Sequence, residues 1–165
     1  MLSGAAAMLR SAVHDLPEKL AALADSDKAK DKEIKSLKEE LAHLKSADLF
    51  AAPVDLDGLA FYTATLTDVA PDALRSMGDE LKNKGANVVA VVAGVNGEKA
   101  NIVAVCGKEA IARGVKAGDV VREIAKLAGG GGGGRPDSAM AGCKNVDKLP
   151  DAMAQAAALV RDMIQ

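Results

Sequence analysis

Six consecutive glycines, Gly129 to Gly134, run directly into Arg135-Pro136-Asp137, and this stretch is the part of the chain best suited to touching a ligand. An ordered glycine forgoes roughly 0.5–1 kcal/mol relative to alanine, so an ordered run of six gives up on the order of 3–6 kcal/mol, a large part of a domain's net stability. Such a run is either an unordered linker or a working surface. Flexible linkers mix in serine and continue into polar low-complexity sequence. This run is entered from an amphipathic segment and left through Arg-Pro with charged residues behind it, which favours the working surface. Bare N–H and C=O groups let a phosphate, a sugar or a flat base pair approach closely. Arg135 adds a two-pronged donor for phosphate, Pro136 restrains its backbone, and Asp137 is expected to brace the turn. The spaced nucleotide motifs do not fit. Gly-x-x-x-x-Gly-Lys-Ser/Thr is absent, Gly-x-Gly-x-x-Gly matches only trivially inside a homopolymer, and the run leaves a helix instead of joining a strand to one.

Catalytic constellations are missing from the sequence. The two histidines, His14 and His43, fall in the helical N-terminal part, Ser138 stands beside no base, and Cys143 has no histidine to activate it. Cys106 and Cys143 form no Cys-x-x-Cys pattern, so no zinc site is readable and no cofactor is expected. Binding is the better class. The aromatic residues are Phe50, Phe61 and Tyr62, too few to stack a series of unpaired bases. The formal charge of −2 argues against indiscriminate nucleic-acid binding. From Lys108 to Lys148, however, eight basic residues face five acidic ones, a local +3 that includes Lys116, Lys126, Arg135 and Lys144. Two readings of that excess stay open, a basic patch around the glycines and ordinary solvated helix faces. Two scattered cysteines without a secretory signal suit a reducing cytoplasm, and no apolar run approaches the length of a membrane span.

The elements that must position these residues divide into two domains, 1–47 and 48–165. Up to Ala47 the chain reads as helix, and Met1 to Met8 read as a cut into one, as in a fragment of a longer protein. Val13, Leu16, Leu20, Leu23, Ile34, Leu37, Leu41 and Leu44 recur at three- and four-residue steps, with Asp27 and Lys30 as polar exceptions in the seam. Leu20, Ile34, Leu37, Leu41 and Leu44 are the candidate dimerisation residues. Pro17 marks the first turn of the longer helix, leaving Ala5 to His14 as a short helix folded back on it in a hairpin. The charged run from Asp25 to Glu40 is a solvated face.

Beyond Ala52-Pro53 a compact α+β domain of about 115 residues is expected. Leu59 to Leu66 alternates as a strand, and Pro71 opens a helix with Leu74, Met77 and Leu81 on one face before Gly85 stops it. Asn87 to Val95 is a nearly continuous apolar run, suited to a strand covered on both faces, and Asn96-Gly97 turns it into a second strand, Ala100 to Cys106. Helices follow near Glu109 to Arg113 and from Ala117 to Ala128, the latter ending on Gly129 as a left-handed cap. The other five glycines are read as a loop. A last helix opens at Pro150, with Met153, Ala157, Val160 and Ile164 inward.

Leu127-Ala-Gly-Gly-Gly-Gly-Gly-Gly-Arg-Pro-Asp-Ser-Ala-Met-Ala-Gly142, preceded by Gly114-Val-Lys-Ala-Gly-Asp-Val-Val-Arg122, resembles the C-terminal domain of alanyl-tRNA synthetases, a DHHA1-family domain shared with DHH phosphoesterases. The specific motif covers about thirty residues. Where the usual motif continues Met-Ala-Gln-Ala-Gly-Gly, this chain has Ser138, Met140 and Cys143 in place of Met, Gln and Gly. The resemblance implies a DHHA1-like mixed fold behind a coiled-coil segment, and a domain that grips the outer corner of tRNA(Ala) and helps link aminoacylation with editing. It implies partnership with upstream domains of the same synthetase, a homodimer through the helical part, and no alanine–tRNA ligase activity in these residues alone. Gly129, Gly130, Gly131, Gly132, Gly133 and Gly134 with Arg135, Lys126, Lys116 and Lys144 are the expected tRNA contacts. Two rivals remain: the substrate-binding half of a DHH phosphoesterase, whose metal motif is absent here, and a structural module with a protein or DNA partner.

Overall fold

A computed structural model describes residues 15–49 and 52–165. The expected short helix from Ala5 to His14 lies outside them, as does Phe50. Contacts divide the described chain between Lys38 and Glu39. Helix α1, Leu16–Leu49, carries Pro17 in its first turn, where a missing N–H costs nothing. Leu20, Leu23, Ile34 and Leu37 on it are all about half exposed, at 56%, 48%, 51% and 57%.

The globular part is a six-stranded mixed sheet. In chain order its elements are β1 (Val54–Leu56), β2 (Leu59–Thr67), α2 (Pro71–Lys82), β3 (Val88–Asn96), β4 (Lys99–Cys106), α3 (Lys108–Ala112), α4 (Ala117–Leu127), β5 (Gly131–Gly134), β6 (Ser138–Cys143), a single 3₁₀ turn at Val146–Lys148, α5 (Leu149–Ala154) and α6 (Ala156–Met163). The strands lie in the order β1-β2-β3-β4-β6-β5, and β2 and β3 are the one parallel pair, joined by α2. Helices cover both faces. On one side Leu74, Met77 and Leu81 of α2 pack on Val88, Val92, Val103 and Val105; on the other, Val120, Val121 and Ile124 of α4, with Leu149, Met153 and Val160, pack on Val89, Val91, Ile102 and Ala104. Hence β3 is apolar at consecutive positions: Val88 to Gly94 are all buried, one residue serving each core in turn. The expected last helix is broken at Gln155 into α5 and α6, and Ala157 and Ile164 are only partly buried against the core.

One ion-pair cluster ties the β5–β6 turn to the far side of the sheet. Lys82 Nζ at the end of α2 reaches Asp137 Oδ2 at 2.7 Å, and Arg135 Nε lies 3.3 Å from Asp137 Oδ1. The Lys82 hydrogen bond, followed by the positive charges of Lys82 and Arg135, holds the Asp137 carboxyl below its ordinary range against the opposing effect of partial burial. Asp137 thus braces the turn, as its place after Arg-Pro suggested. On β4, burial first and the Asp137 charge second push the Cys106 thiol up to about 12, and burial raises the Cys143 thiol as well. Both are small apolar residues of the core, not nucleophiles.

Because the folded-state pKa of Asp137 is depressed, its stabilisation is complete above the ordinary carboxylate value of about 4 and is lost as pH falls through the lower folded value. Asp137→Asn is therefore expected to lower stability by about 0.5–1 kcal/mol at neutral pH, the scale of a half-exposed pair. Urea midpoints measured in a pH series should keep this gap from about pH 8 to about pH 6 and close it progressively below about pH 4. A gap independent of pH would show that the carboxylate charge is not what braces the turn. A thiol reagent at neutral pH should label neither cysteine in the native protein and both after denaturation; labelling of native Cys106 would contradict its burial.

Candidate nucleic-acid interface

The last four glycines of the run form a strand, where the sequence suggested a loop. Helix α4 ends in a paired set of backbone bonds: Gly130 N–H donates to Ala125 O at 2.7 Å and Gly129 N–H to Lys126 O at 3.2 Å, with Gly129 left-handed at φ +63. This is a Schellman cap, and it turns the chain straight into β5. Gly131 to Gly134 then pair antiparallel with β6, from Gly131 opposite Gly142 to Gly134 opposite Ala139. No residue of the run after Gly129 has a positive φ, so sterics, not backbone conformation, must account for the glycines.

The steric demand alternates along the strand. A Cβ on Gly130 would sit 2.1 Å from Gly142 O, one on Gly132 would sit 2.4 Å from Ala141 Cα, and one on Gly134 would sit 2.7 Å from Ala139 Cα. No side chain fits at those three. Around Gly131 there is open space, and the nearest atom to a Cβ on Gly133 is Arg122 Nη2 at 3.8 Å, an ordinary contact. Internal packing therefore explains the even glycines and leaves Gly131 and Gly133 without a structural reason.

Backbone polarity follows the same two-residue period. Arg135 N–H donates to Ser138 O at 3.0 Å, in register with the β5–β6 ladder. Continuing the antiparallel alternation from this pair bonds Gly131 and Gly133 to β6 and turns the N–H and C=O groups of Gly132 and Gly134 away from β6, with Gly134 O beside Gly118 of α4 and Gly132 at the open edge. Both residues are exposed. An exposed sheet edge with no side chains is an array of donors and acceptors open to close approach by a phosphate or a ribose.

On the α2 side, alongside that helix, the β4–β6–β5 corner forms a cleft of about 650 Å³. Asn101, Ser138 and Met140 line its floor with the backbone of Gly133, Gly134 and Gly142; Arg75 and Asp79 of α2 form one wall, and Arg135 closes the end of the strand. Among the described residues Arg75 has no ion-pair partner. Arg135 is 80% exposed, and its pairing with Asp137 leaves most of the guanidinium free.

Of the expected contact residues, the structure brings together Gly133, Gly134 and Arg135 in this cleft, with Gly131 and Gly132 continuing the edge. Lys126 stands on α4, which packs on the opposite face, with its Nζ bound to Glu123 Oε1 at 2.6 Å, and Lys116 immediately precedes that helix as its N-cap residue. Lys144 is exposed just past β6. Sequence reasoning missed Arg75, Asn101 and Ser138. Arg75 lies on the polar side of α2, one residue from Leu74, and nothing in its local pattern separates it from a solvated helix charge. Its role emerges only because α2 crosses the sheet short of β6. Among the described residues no group of three His, Cys, Asp or Glu could hold a metal, and no helix is long and apolar enough to cross a membrane.

The DHHA1 domain model matches residues 58–162. The alanine–tRNA ligase of Alkaliphilus oremlandii is 41% identical over 145 residues, covering 88% of this chain and 16% of that protein. That of Natranaerobius thermophilus is 38% identical over 159 residues, covering 96% of this chain and 18% of that protein. The chain thus spans under a fifth of the length of these curated relatives. Among solved structures, the C-Ala domain from Aquifex aeolicus alanyl-tRNA synthetase matches with a TM-score of 0.61 and 32% identity, over 66% of this chain and 96% of that one. With its glycine edge strand, its mixed sheet and these likenesses, the chain belongs to the DHHA1 family, as a C-Ala domain of the alanyl-tRNA synthetase type.

Proposed function

We propose that this chain is the tRNA-binding C-terminal part of an alanine–tRNA ligase, recognising the outer corner of tRNA(Ala) and helping to couple aminoacylation with editing carried out by other domains of the same enzyme. It catalyses nothing by itself. In this reading residues 48–165 form the RNA-binding domain and residues 1–47 the helical segment through which two copies associate. The observation that carries it is the pair Gly131 and Gly133: glycine stands at two strand positions, the first exposed and the second half-buried, where the fold has room for a side chain, so a surface from outside is what would exclude the side chain. A folded RNA supplies such a surface. Its backbone and ribose edges can lie against the outward N–H and C=O groups of Gly132, while Arg135 and Arg75 take adjacent phosphates. The scarcity of aromatic residues fits recognition by shape and backbone over reading of unpaired bases. Lys116, Lys126 and Lys144 are assigned to outlying phosphate contacts.

Alanine scanning of the run separates the two kinds of glycine. Gly131→Ala and Gly133→Ala should leave thermal stability unchanged or raise it slightly, because a residue with less freedom when unfolded replaces glycine in an extended strand. The same variants should weaken tRNA(Ala) binding by about tenfold or more, about 1.4 kcal/mol. Gly132→Ala should instead lower stability by about 1–3 kcal/mol, the scale of overpacking. Retention of full tRNA affinity by Gly131→Ala and Gly133→Ala together would remove the reading.

Arg135→Ala should weaken binding of tRNA(Ala) and reduce the slope of log affinity against log salt by about 1. Titrations at several salt concentrations, run beside a second tRNA and a DNA duplex, provide the check. An unchanged slope would take Arg135 out of the interface, and a preference for duplex DNA would mark a domain turned to another partner.

A further inference from the structure

The helix α1 seam carries information about how two copies meet. Leu20, Leu23, Asp27, Lys30, Ile34 and Leu37 follow one another at steps of three and four residues along the helix, the spacing of a two-stranded coiled-coil seam. All six are exposed, the four apolar ones by about half, so among the described residues nothing covers the seam. A groove of about 370 Å³ runs along Leu20, Leu23, Ala24, Ser26, Asp27 and Lys30.

We propose that two copies of this chain pair through α1 in antiparallel orientation, centred between Lys28 and Ala29, so that Asp27 of each helix faces Lys30 of the other. This rests on the self-association assigned above to the helical segment and adds its polarity and register. Charge decides the polarity. In a parallel pair each seam residue meets its own copy, which stacks Asp27 on Asp27 and Lys30 on Lys30, two like-charge layers in succession at the middle of the seam. Reversing one helix about the centre between residues 28 and 29 sets Leu20 opposite Leu37 and Leu23 opposite Ile34. Asp27 then lies opposite Lys30, twice by symmetry. The apolar layers are kept and both repulsive layers become ion pairs. Flanking positions pull the other way in part: parallel helices would bring Glu33 near Lys38, while antiparallel ones bring Lys19 near Glu40. Such rim pairs are solvated, screened by salt and weak, whereas like charges within the seam are partly desolvated and cannot move away. A polar layer of this kind sets register and orientation at some cost in stability.

The test uses the full chain. Leu20→Cys and Leu37→Cys variants, one carrying a size tag, are oxidised separately and mixed, and disulfide-linked species are resolved on non-reducing gels with wild type as the control for Cys106 and Cys143. The mixture is expected to give the tagged–untagged linked pair as the dominant product, with little linkage of either variant to itself. Self-linkage of Leu20→Cys would overturn the antiparallel register while leaving association through the helix standing. Absence of any linkage, together with a monomer by sedimentation, would overturn both. Asp27→Lys should weaken self-association by about tenfold or more, since four lysines then meet in the central layers, and adding Lys30→Asp should restore it. Failure of the double exchange to restore association would also overturn the register. None of these readouts involves RNA, so they stand or fall apart from the tRNA assignment.

Discussion

The approach of β5 to β6 is the constraint on which the rest of the globular part depends. The backbone of β6 occupies the space that side chains at 130, 132 and 134 would need, with atoms of Gly142, Ala141 and Ala139 between 2.1 and 2.7 Å from the positions their Cβ atoms would take. This edge strand can be made only of residues without side chains at every second position. The same closeness shapes its neighbours. At the first turn of α4, a Cβ on Gly118 would lie 2.9 Å from Gly134 O, so the helix lies against the glycine strand with no side chain between them. Ala139, Ala141 and Cys143 present small side chains to the α4 side of β6.

A strand of four glycines has little of its own to hold it straight, since each loses more conformational freedom on ordering than any other residue. Fixation comes from both ends. At the start, the Schellman cap of α4 directs the chain, and Asn145 N–H donates to Ala128 O at 3.3 Å. At the finish, Ala117 N–H donates to Pro136 O at 2.8 Å and Cys106 N–H to Asp137 O at 3.1 Å, while Lys82 holds the Asp137 side chain. Elements from both faces of the sheet thus converge on the Arg135–Asp137 turn. The edge is kept rigid by its anchors, which is what a pre-organised backbone surface requires if binding is not to bear the ordering entropy.

Much of this was legible in the residues, and the misses have physical reasons. Periodicity located α2, β3, β4 and α4, because each carries one face or two into a core. Pro71 and Asn96-Gly97 marked their boundaries through fixed backbone preferences. β5 and β6 were invisible as strands: a glycine homopolymer has no side-chain alternation to read, and Ser138 to Cys143 is short and built of small residues. Once a strand is allowed there, the run of six acquires meaning, since pairing accounts for alternate glycines and the cap for Gly129, leaving Gly131 and Gly133 as the informative ones. The cleft was legible only in part. Arg135 announced itself by standing next to the glycines, whereas Arg75 is about sixty positions away and reaches the site through the β2–α2–β3 crossover, a relation that no local window contains.

The disposition of charge bears on what kind of recognition this surface performs. The ion pairs already fall inside the local charge balance: Arg122 is bound to Asp119 at 2.8 Å and Lys126 to Glu123 at 2.6 Å, while Lys82, from outside the segment, binds Asp137 at 2.7 Å. Arg135 shares Asp137, and Arg75 stands in the same cleft as Asp79. On a chain of net charge −2 with two arginines at the cleft, counterion release alone would give little selectivity. Selectivity must then rest on fit. In the proposed role, a glycine edge with outward backbone groups would discriminate by whether a partner's own backbone can lie flush against it, a test of three-dimensional shape that a regular duplex and an unstructured strand would meet less well than a compactly folded RNA.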